Sequence, residues 1–239
     1  MNDINEPDFE MTLDPPGRIA VIGAGPLGIE AALYGRFLGY DVTVYEKAGV
    51  GQSLLDRSDE PLPMLPDRTL SPLAISALKA HDGGLAAPSD PAYPLTISQW
   101  VNGSLARIAA TDLLTGRVMT GAEVIKIETC EIQSDDDVSD DDETYIDGDV
   151  PADYRLTVRV GDDVQTGIVE AVIIATGQSS DDGIEGLKVL EGSPYLYPVG
   201  KRHFDSEEAT LHHGWSDIVN AYARMGGRKG LDLYRPIRS

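Results

Sequence analysis

The sequence predicts an α/β fold, a doubly wound, mainly parallel sheet with an antiparallel β-meander attached. Three observations carry that expectation. The run RIAVIGAGPLGIEAALYGRFLGYDVTVYEK reads as strand, glycine turn, helix and second strand. A later run, VIIATG (172–177), is a short apolar strand ending in a small-residue turn. Just before it, YRLTVRVGDDVQTGIVEA alternates apolar and polar residues on both sides of Gly161, Asp162 and Asp163, a hairpin signal.

In chain order, residues 1–16 are acidic and proline-containing, without the basic and apolar regions of a signal peptide. They are expected to form a disordered leader to a single domain over 17–230, with 231–239 as a tail. Residues 18–22 are a β-branched strand, and Pro26 stands where a helix begins and no backbone N–H is needed. Apolar residues then recur at helical spacing up to Gly39, a natural C-cap, before a second strand over 41–45. Gly23 permits a tight turn, Gly25 lets the backbone approach a pyrophosphate, and Gly28 lets the helix pack close on the sheet, with Ala32 as a further small residue. Free N–H groups and the helix dipole make this N-terminus an anion site. Glu46, eighteen residues after Gly28, stands where a carboxylate binds the adenosine ribose hydroxyls. A 2′-phosphate would meet the charge of Glu46, which disfavours NADP, although Lys47 softens that argument.

The proline-rich stretch after Gly49 and Gly51 excludes a regular helix or central strand. Residues 73–80 suit a short helix. Residues 95–110 suit a longer one, with Thr96 or Ser98 as cap and an apolar stripe of Trp100, Val101, Leu105, Ile108 and Ala109. An extended segment over 122–132 contains Cys130, read as a small core hydrophobe. Residues 131–153 hold eleven acidic residues and no Lys or Arg, so 134–153 is read as a solvated acidic loop inserted in the meander. The full calcium-loop pattern is absent from it. The run 195–200, YLYPVG, is a late strand ending in glycine. A closing helix over 215–225 follows, with Ser216 or Asp217 as cap and Ile218, Val219 and Tyr222 facing the sheet. His203, His212 and His213 cluster here, but no nearby cysteine completes a zinc set, and surface or cap roles are expected for them.

This order of elements resembles the large FAD/NAD(P)-binding oxidoreductase superfamily that includes flavin monooxygenases and pyridine nucleotide-disulphide reductases. The resemblance covers most of 17–225 and is most specific in the first unit. It implies a Rossmann-like domain whose first unit, through Gly23, Gly25, Pro26, Leu27, Gly28, Glu46 and Lys47, binds the ADP half of FAD. It further implies that Ala175, Thr176 and Gly177 return the chain to the cofactor. Gly200, and Gly214 at the N-terminus of the closing helix, would then lie over the ribityl chain and flavin ring. Lys201 and His213 are the candidates for acid–base chemistry, from their place near the implied ring edge. FAD is the expected cofactor and NAD the alternative.

Three features depart from the family pattern. Lys201 follows Gly200 where many members have an aspartate that holds a ribityl hydroxyl. No second GxGxxG unit occurs, and only about twenty residues separate Gly177 from the late strand, too few for another βαβ domain. With Cys130 as the only cysteine, dithiol–disulphide chemistry within one chain is excluded. The expected function is an FAD-binding oxidoreductase, or the FAD-binding half of one, passing hydride or electrons through flavin. Its small-molecule substrate is unassigned, and a partner protein is the expected source of electrons. The alternatives are an NAD-dependent dehydrogenase and a non-catalytic dinucleotide-binding module. A net charge of −21 argues against nucleic acid or an anionic membrane as partner. No apolar run is long enough to span a membrane, and a single cysteine fits a reducing, cytoplasmic setting.

Overall fold

The computed structural model describes residues 12–82, 94–130, 153–177 and 183–235. In chain order its strands are β1 (Arg18–Ile22), β2 (Asp41–Glu46), β3 (Val118–Thr120), β4 (Ala122–Cys130), β5 (Asp153–Val160), β6 (Asp163–Val169), β7 (Ala171–Ile174) and β8 (Leu196–Pro198). The helices are α1 (Pro26–Leu38), α2 (Pro72–Asp82), α3 (Ile97–Trp100), α4 (Ala106–Ala109) and α5 (Glu207–Met225), with a π turn, Val101–Leu105, joining α3 to α4. Five strands make a parallel sheet in the order β3-β2-β1-β7-β8, and β4-β5-β6 make a separate antiparallel sheet.

The central strands explain how the layers stack. Successive residues of a strand face opposite ways, and β1 and β7 are apolar on both faces. Ile19, Val21, Ala171 and Ile173 pack into one core with α1, α2 and α5. Ala20, Ile22, Val172 and Ile174 pack into a second core with Val124, Ile127, Tyr154, Leu156 and Val158 of the antiparallel sheet. The fold class is α/β as the sequence predicts, a mainly parallel sheet with helices and an attached antiparallel meander. Among the described residues, the second face of the parallel sheet is covered by the meander rather than by helices. The alternating strands β4 and β5 supply an apolar face that does the work a second helical layer would do.

Helix boundaries follow from caps. Gly39 ends α1 in the left-handed conformation (φ 93°), and its N–H donates to Arg36 O. Thr96 opens α3 through a capping box with Gln99. The closing helix starts earlier than its sequence pattern predicts. Ser206, not Ser216 or Asp217, caps it by accepting from Ala209 N–H at 3.1 Å. Glu207 and Glu208 in its first turn pair with Arg57 (2.9 Å) and Arg68 (2.7 Å) of the proline-rich stretch. A Cβ on Gly35 would overlap Tyr222 Oη, so that glycine lets α1 and α5 lie close enough for the Tyr222 hydroxyl to donate to Ala31 O at 2.9 Å.

The first and last of the described residues reach this helical layer. Leu13 N–H donates to Met225 O at 2.8 Å, and Tyr40 donates its hydroxyl to Leu13 O at 2.7 Å. The last residues of the expected leader are thus bonded to the domain, while 1–11 lie outside the described residues. At the other end, Leu233 N–H donates to Tyr34 Oη (3.1 Å), and Tyr234 donates its hydroxyl to Glu30 Oε1 (3.0 Å). The acidic insertion, apart from Asp153, also lies outside the described residues, but its borders Cys130 and Asp153 are directly paired.

Glu30 went unnoticed in the sequence because a polar residue in an apolar helix reads as a solvated position. It is 5% exposed, and burial pushes its carboxyl up to about 7, against hydrogen bonds from Ser71 and Tyr234 that favour the charged form. The folded state therefore holds this proton more tightly than the unfolded chain. Its contribution to stability falls as pH rises from about 4.5 to about 7, by roughly 3 kcal/mol in all. Glu30→Gln removes that loss, so urea unfolding should show the variant gaining about 2–3 kcal/mol on the parent between pH 5 and pH 8. An equal difference at both pH values would contradict the assignment.

The paired borders of the insertion yield a second prediction. Replacing residues 134–148 by a short turn should leave the melting temperature within a few degrees of the parent, because loop closure depends weakly on length. Loss of the cooperative transition would show that the acidic segment is part of the core.

Candidate functional site

The parallel strands end at one edge, where β1 leads to β2 on one side and neighbours β7 on the other. That reversal of direction is where open α/β sheets bind ligands. Gly23 leaves β1 at φ 101°, a conformation that disfavours a side chain, and a Cβ there would lie 2.7 Å from Ala175 O. Its N–H donates to Tyr45 O at 2.8 Å, which ties the turn to the end of β2. Gly25 is the N-cap of α1, and nothing stands within 4 Å of where its Cβ would be. A Cβ on Gly28 would overlap Gly23 O, so α1 rests directly on the turn. The three glycines thus have three separate causes: conformation, open space and close packing.

Glu46 closes the turn from the side. Its Oε2 accepts from Ala24 N–H and its Oε1 from Ala48 N–H, each at 2.8 Å. Each carboxylate oxygen retains a further acceptor position, so the group is held in place and can still receive hydroxyl donors. Lys47 beside it is exposed. Pro26 occupies the first helical position, and Leu27 and Gly28 have no preceding helical carbonyl for their N–H groups. The first turn of α1 carries no acidic residue, whereas that of α5 carries two. The dipole of α5 is already met by its own side chains, whereas the first turn of α1 carries no such compensation.

The far side of the edge comes from β7 and β8. Ala175 N–H donates to Ile22 O at 2.8 Å, and Gly177 turns at φ 88°. Lys201, directly after Gly200, reaches back with Nζ 3.1 Å from Thr176 Oγ1, so the ends of β7 and β8 are bridged across the site. Gly200 (φ 67°) donates its N–H to Asp217 Oδ2 at 3.2 Å. Asp217 is therefore a positioning residue for this turn rather than the helix cap its spacing suggests.

Gly214 is corrected. It lies inside α5, buried, and a Cβ on it or on Gly200 would overlap the Leu27 side chain. Leu27 fills the slot between those two glycines and offers a ligand its backbone only. Because Gly214 is not at a helix N-terminus, the dipole role implied for it is not realised. His213, also inside α5, sets its ring edge-on to Phe204 at 4.4 Å, and His212 stacks on Trp215 at 4.5 Å. The edge thus brings together Gly23, Gly25, Pro26, Gly28, Glu46, Ala175, Thr176, Gly177, Gly200 and Lys201, while Gly214 and His213 lie inside α5. Among the described residues no helix is long and apolar enough to cross a membrane.

No family model matches the chain. A subunit of NAD-dependent dihydropyrimidine dehydrogenase, PreT of Salmonella typhimurium, and its homologue in Salmonella typhi are each 58% identical over 31 residues. That is 13% of this chain and 8% of theirs. Among solved structures, bacillithiol disulfide reductase Bdr (YpdA) from Bacillus cereus is similar at a TM-score of 0.46 and 15% identity, over 67% of this chain and 40% of its own. The Staphylococcus aureus enzyme follows at 0.42 and 17%, over 67% and 38%. A steroid monooxygenase bound to NADP stands at 0.43 and 19%, over 67% and 26%. The chain therefore spans less than half the length of each of these proteins.

The different causes of the glycines predict different variants. Gly25→Val should stay folded, losing about 1 kcal/mol or less at the cap, yet lose measurable binding in ADP calorimetry because branched carbons fill the open space. Gly28→Ala should lose at least 1–3 kcal/mol of stability, since backbone must move to admit the methyl group. Unchanged ADP affinity in Gly25→Val would remove the turn from the site.

Proposed function

We propose that this edge binds the ADP half of a dinucleotide, with FAD as the cofactor and NAD as the alternative. The observation that carries the reading is the pairing of an open Gly25 with an uncompensated α1 N-terminus and a held Glu46. The residues fit the group. The space above Gly25 admits a pyrophosphate, the first-turn N–H groups of Leu27 and Gly28 face its charge, and Glu46 accepts the ribose hydroxyls.

On this reading the chain is an FAD-binding oxidoreductase, or the FAD-binding half of one, in a cytoplasmic setting. Bound flavin would supply the hydride or electron chemistry, and the chain would supply position and charge. Lys201, bonded to Thr176 at the lip, brings a cation toward the ligand where a carboxylate would repel its phosphates. The substrate is a small molecule, and a partner protein supplies the electrons. The same Lys201 also favours a second reading, a non-catalytic dinucleotide-binding module, because the lysine cannot accept a hydrogen bond from a ribityl hydroxyl.

Cofactor released from purified protein should be identified by mass spectrometry as FAD. Glu46→Ala should weaken FAD binding by roughly 1–3 kcal/mol, the scale of hydrogen bonds to a charged group. Absence of any bound dinucleotide, together with no heat of binding for FAD or NAD, would overturn the reading. A marked gain for NADP in Glu46→Ala would move the cofactor from flavin to nicotinamide.

A further inference from the structure

The antiparallel sheet leaves one edge open among the described residues. The order β4-β5-β6 puts β4 and β6 at its borders. The β4 border is occupied. Ile127 N–H donates to Glu185 O and Glu185 N–H to Ile125 O, each at 2.9 Å, and Lys126 Nζ lies 3.8 Å from Glu185 Oε1. The outer border of β6 pairs with no described strand. An open edge carries unused N–H and C=O groups that can take another strand, and proteins usually guard it with lysine, proline or a covering segment. The β6 sequence, DVQTGIV, contains neither lysine nor proline, and Asp163 at its start is its one charged residue.

The side chains along that edge form a pattern. Pairing of Arg155 with Ile168, Thr157 with Thr166 and Arg159 with Val164 places Val164, Thr166 and Ile168 on one face of the sheet. On the same face, Arg155 and Arg159 are paired to Glu128 (3.3 Å) and Glu123 (2.9 Å) of β4. The charges of this face thus neutralise one another inside the sheet, and the row at its rim reads apolar, threonine, apolar. Val164 is 59% and Ile168 41% exposed. The alternate residue Val169 packs into the second core instead, and a Cβ on Gly167 would stand 3.8 Å from Tyr45 Oη.

We infer that β6 is the contact between two copies of this chain, paired antiparallel about a two-fold axis through Thr166. That axis sets Val164 of each copy opposite Ile168 of the other, and Thr166 opposite Thr166, so one operation covers both exposed apolar residues. The pattern selects this occupant. Arg155 and Arg159 are already paired, so the row holds no charge with which to choose a charged peptide, and its complement is the same row reversed. A seven-residue edge gives an interface below the roughly 1,200 Å² of a stable complex, so association is weak and reversible, with a dissociation constant of about 10 μM or more. Each copy carries a net charge of −21, and Asp162 comes opposite Glu170 of the second copy. Salt screens such repulsion, so affinity should rise with ionic strength, the reverse of an interface built on ion pairs.

The test is sedimentation equilibrium of the full chain from about 1 to about 300 μM, in low and in physiological salt. The mass should climb from 25.7 kDa toward twice that value and no further, because a two-fold contact consumes the edge. Val164→Lys and Ile168→Lys should each weaken the dimer at least tenfold with melting temperatures within about 2 °C of the parent, since both positions are exposed. Val189→Lys, at a residue 86% exposed outside this sheet, should leave the dimer unchanged. Thr166→Cys should be joined to its second copy by a short bis-maleimide, whereas Val189→Cys should not. A chain that stays monomeric throughout, a mass that grows beyond two copies, or a dimer indifferent to both lysines overturns the inference. Equal weakening by Val189→Lys does so too, by showing unspecific apolar association. None of these outcomes bears on the dinucleotide reading, which the inference does not require.

Discussion

The contact between Gly28 and the carbonyl of Gly23 governs the rest of the structure. With no side chain at Gly28, α1 settles onto the end of β1, and its first turn lies over the C-terminal edge of the sheet. Leu27 is then carried into the slot that Gly200 and Gly214 leave open, which brings the end of β8 and the middle of α5 against the same turn. About two helical turns further, Gly35 admits Tyr222 and completes the α1–α5 contact. The two helices, the central strands and the candidate site are therefore positioned by glycines that give up volume rather than by side chains that fill it.

Charge distribution separates the two helix N-termini that face this part of the molecule. In a chain of net charge −21, α5 begins with Glu207 and Glu208, each paired to an arginine. The first turn of α1 has no acidic residue. Surface pairs of this kind contribute little to stability, about 0–1 kcal/mol each, but they do satisfy the α5 dipole locally. On the proposed reading, α1 is therefore the helix whose dipole meets the anion. Glu46 stands at the rim of that site with its oxygens held by two N–H donors, where it can accept hydroxyls.

What could be read from the sequence was whatever is encoded locally. β1, α1 and β2 are legible because the glycines, Pro26, the C-cap Gly39 and the apolar periodicity all act within a few residues of one another. The β5–β6 hairpin is legible because alternation brackets Gly161, and that residue indeed turns at φ 61°. The start of α5 was missed because Gly214 resembles a break. Its absence of a side chain answers Leu27, nearly two hundred residues away in sequence, and not a local turn. β3 has three residues, and its strand character comes from pairing with β2. Glu30 sits in an apolar helical pattern whose tertiary neighbour Tyr234 no periodicity could supply.

The account depends on the glycine turn being a phosphate cradle and not only a packing device. A crystal structure of the protein with ADP at saturating concentration tests this most directly. The account predicts pyrophosphate oxygens above Gly25, within hydrogen-bond distance of the Leu27 and Gly28 N–H groups, and ribose hydroxyls on Glu46. Nucleotide bound elsewhere, or a turn that stays empty at saturation, would contradict it.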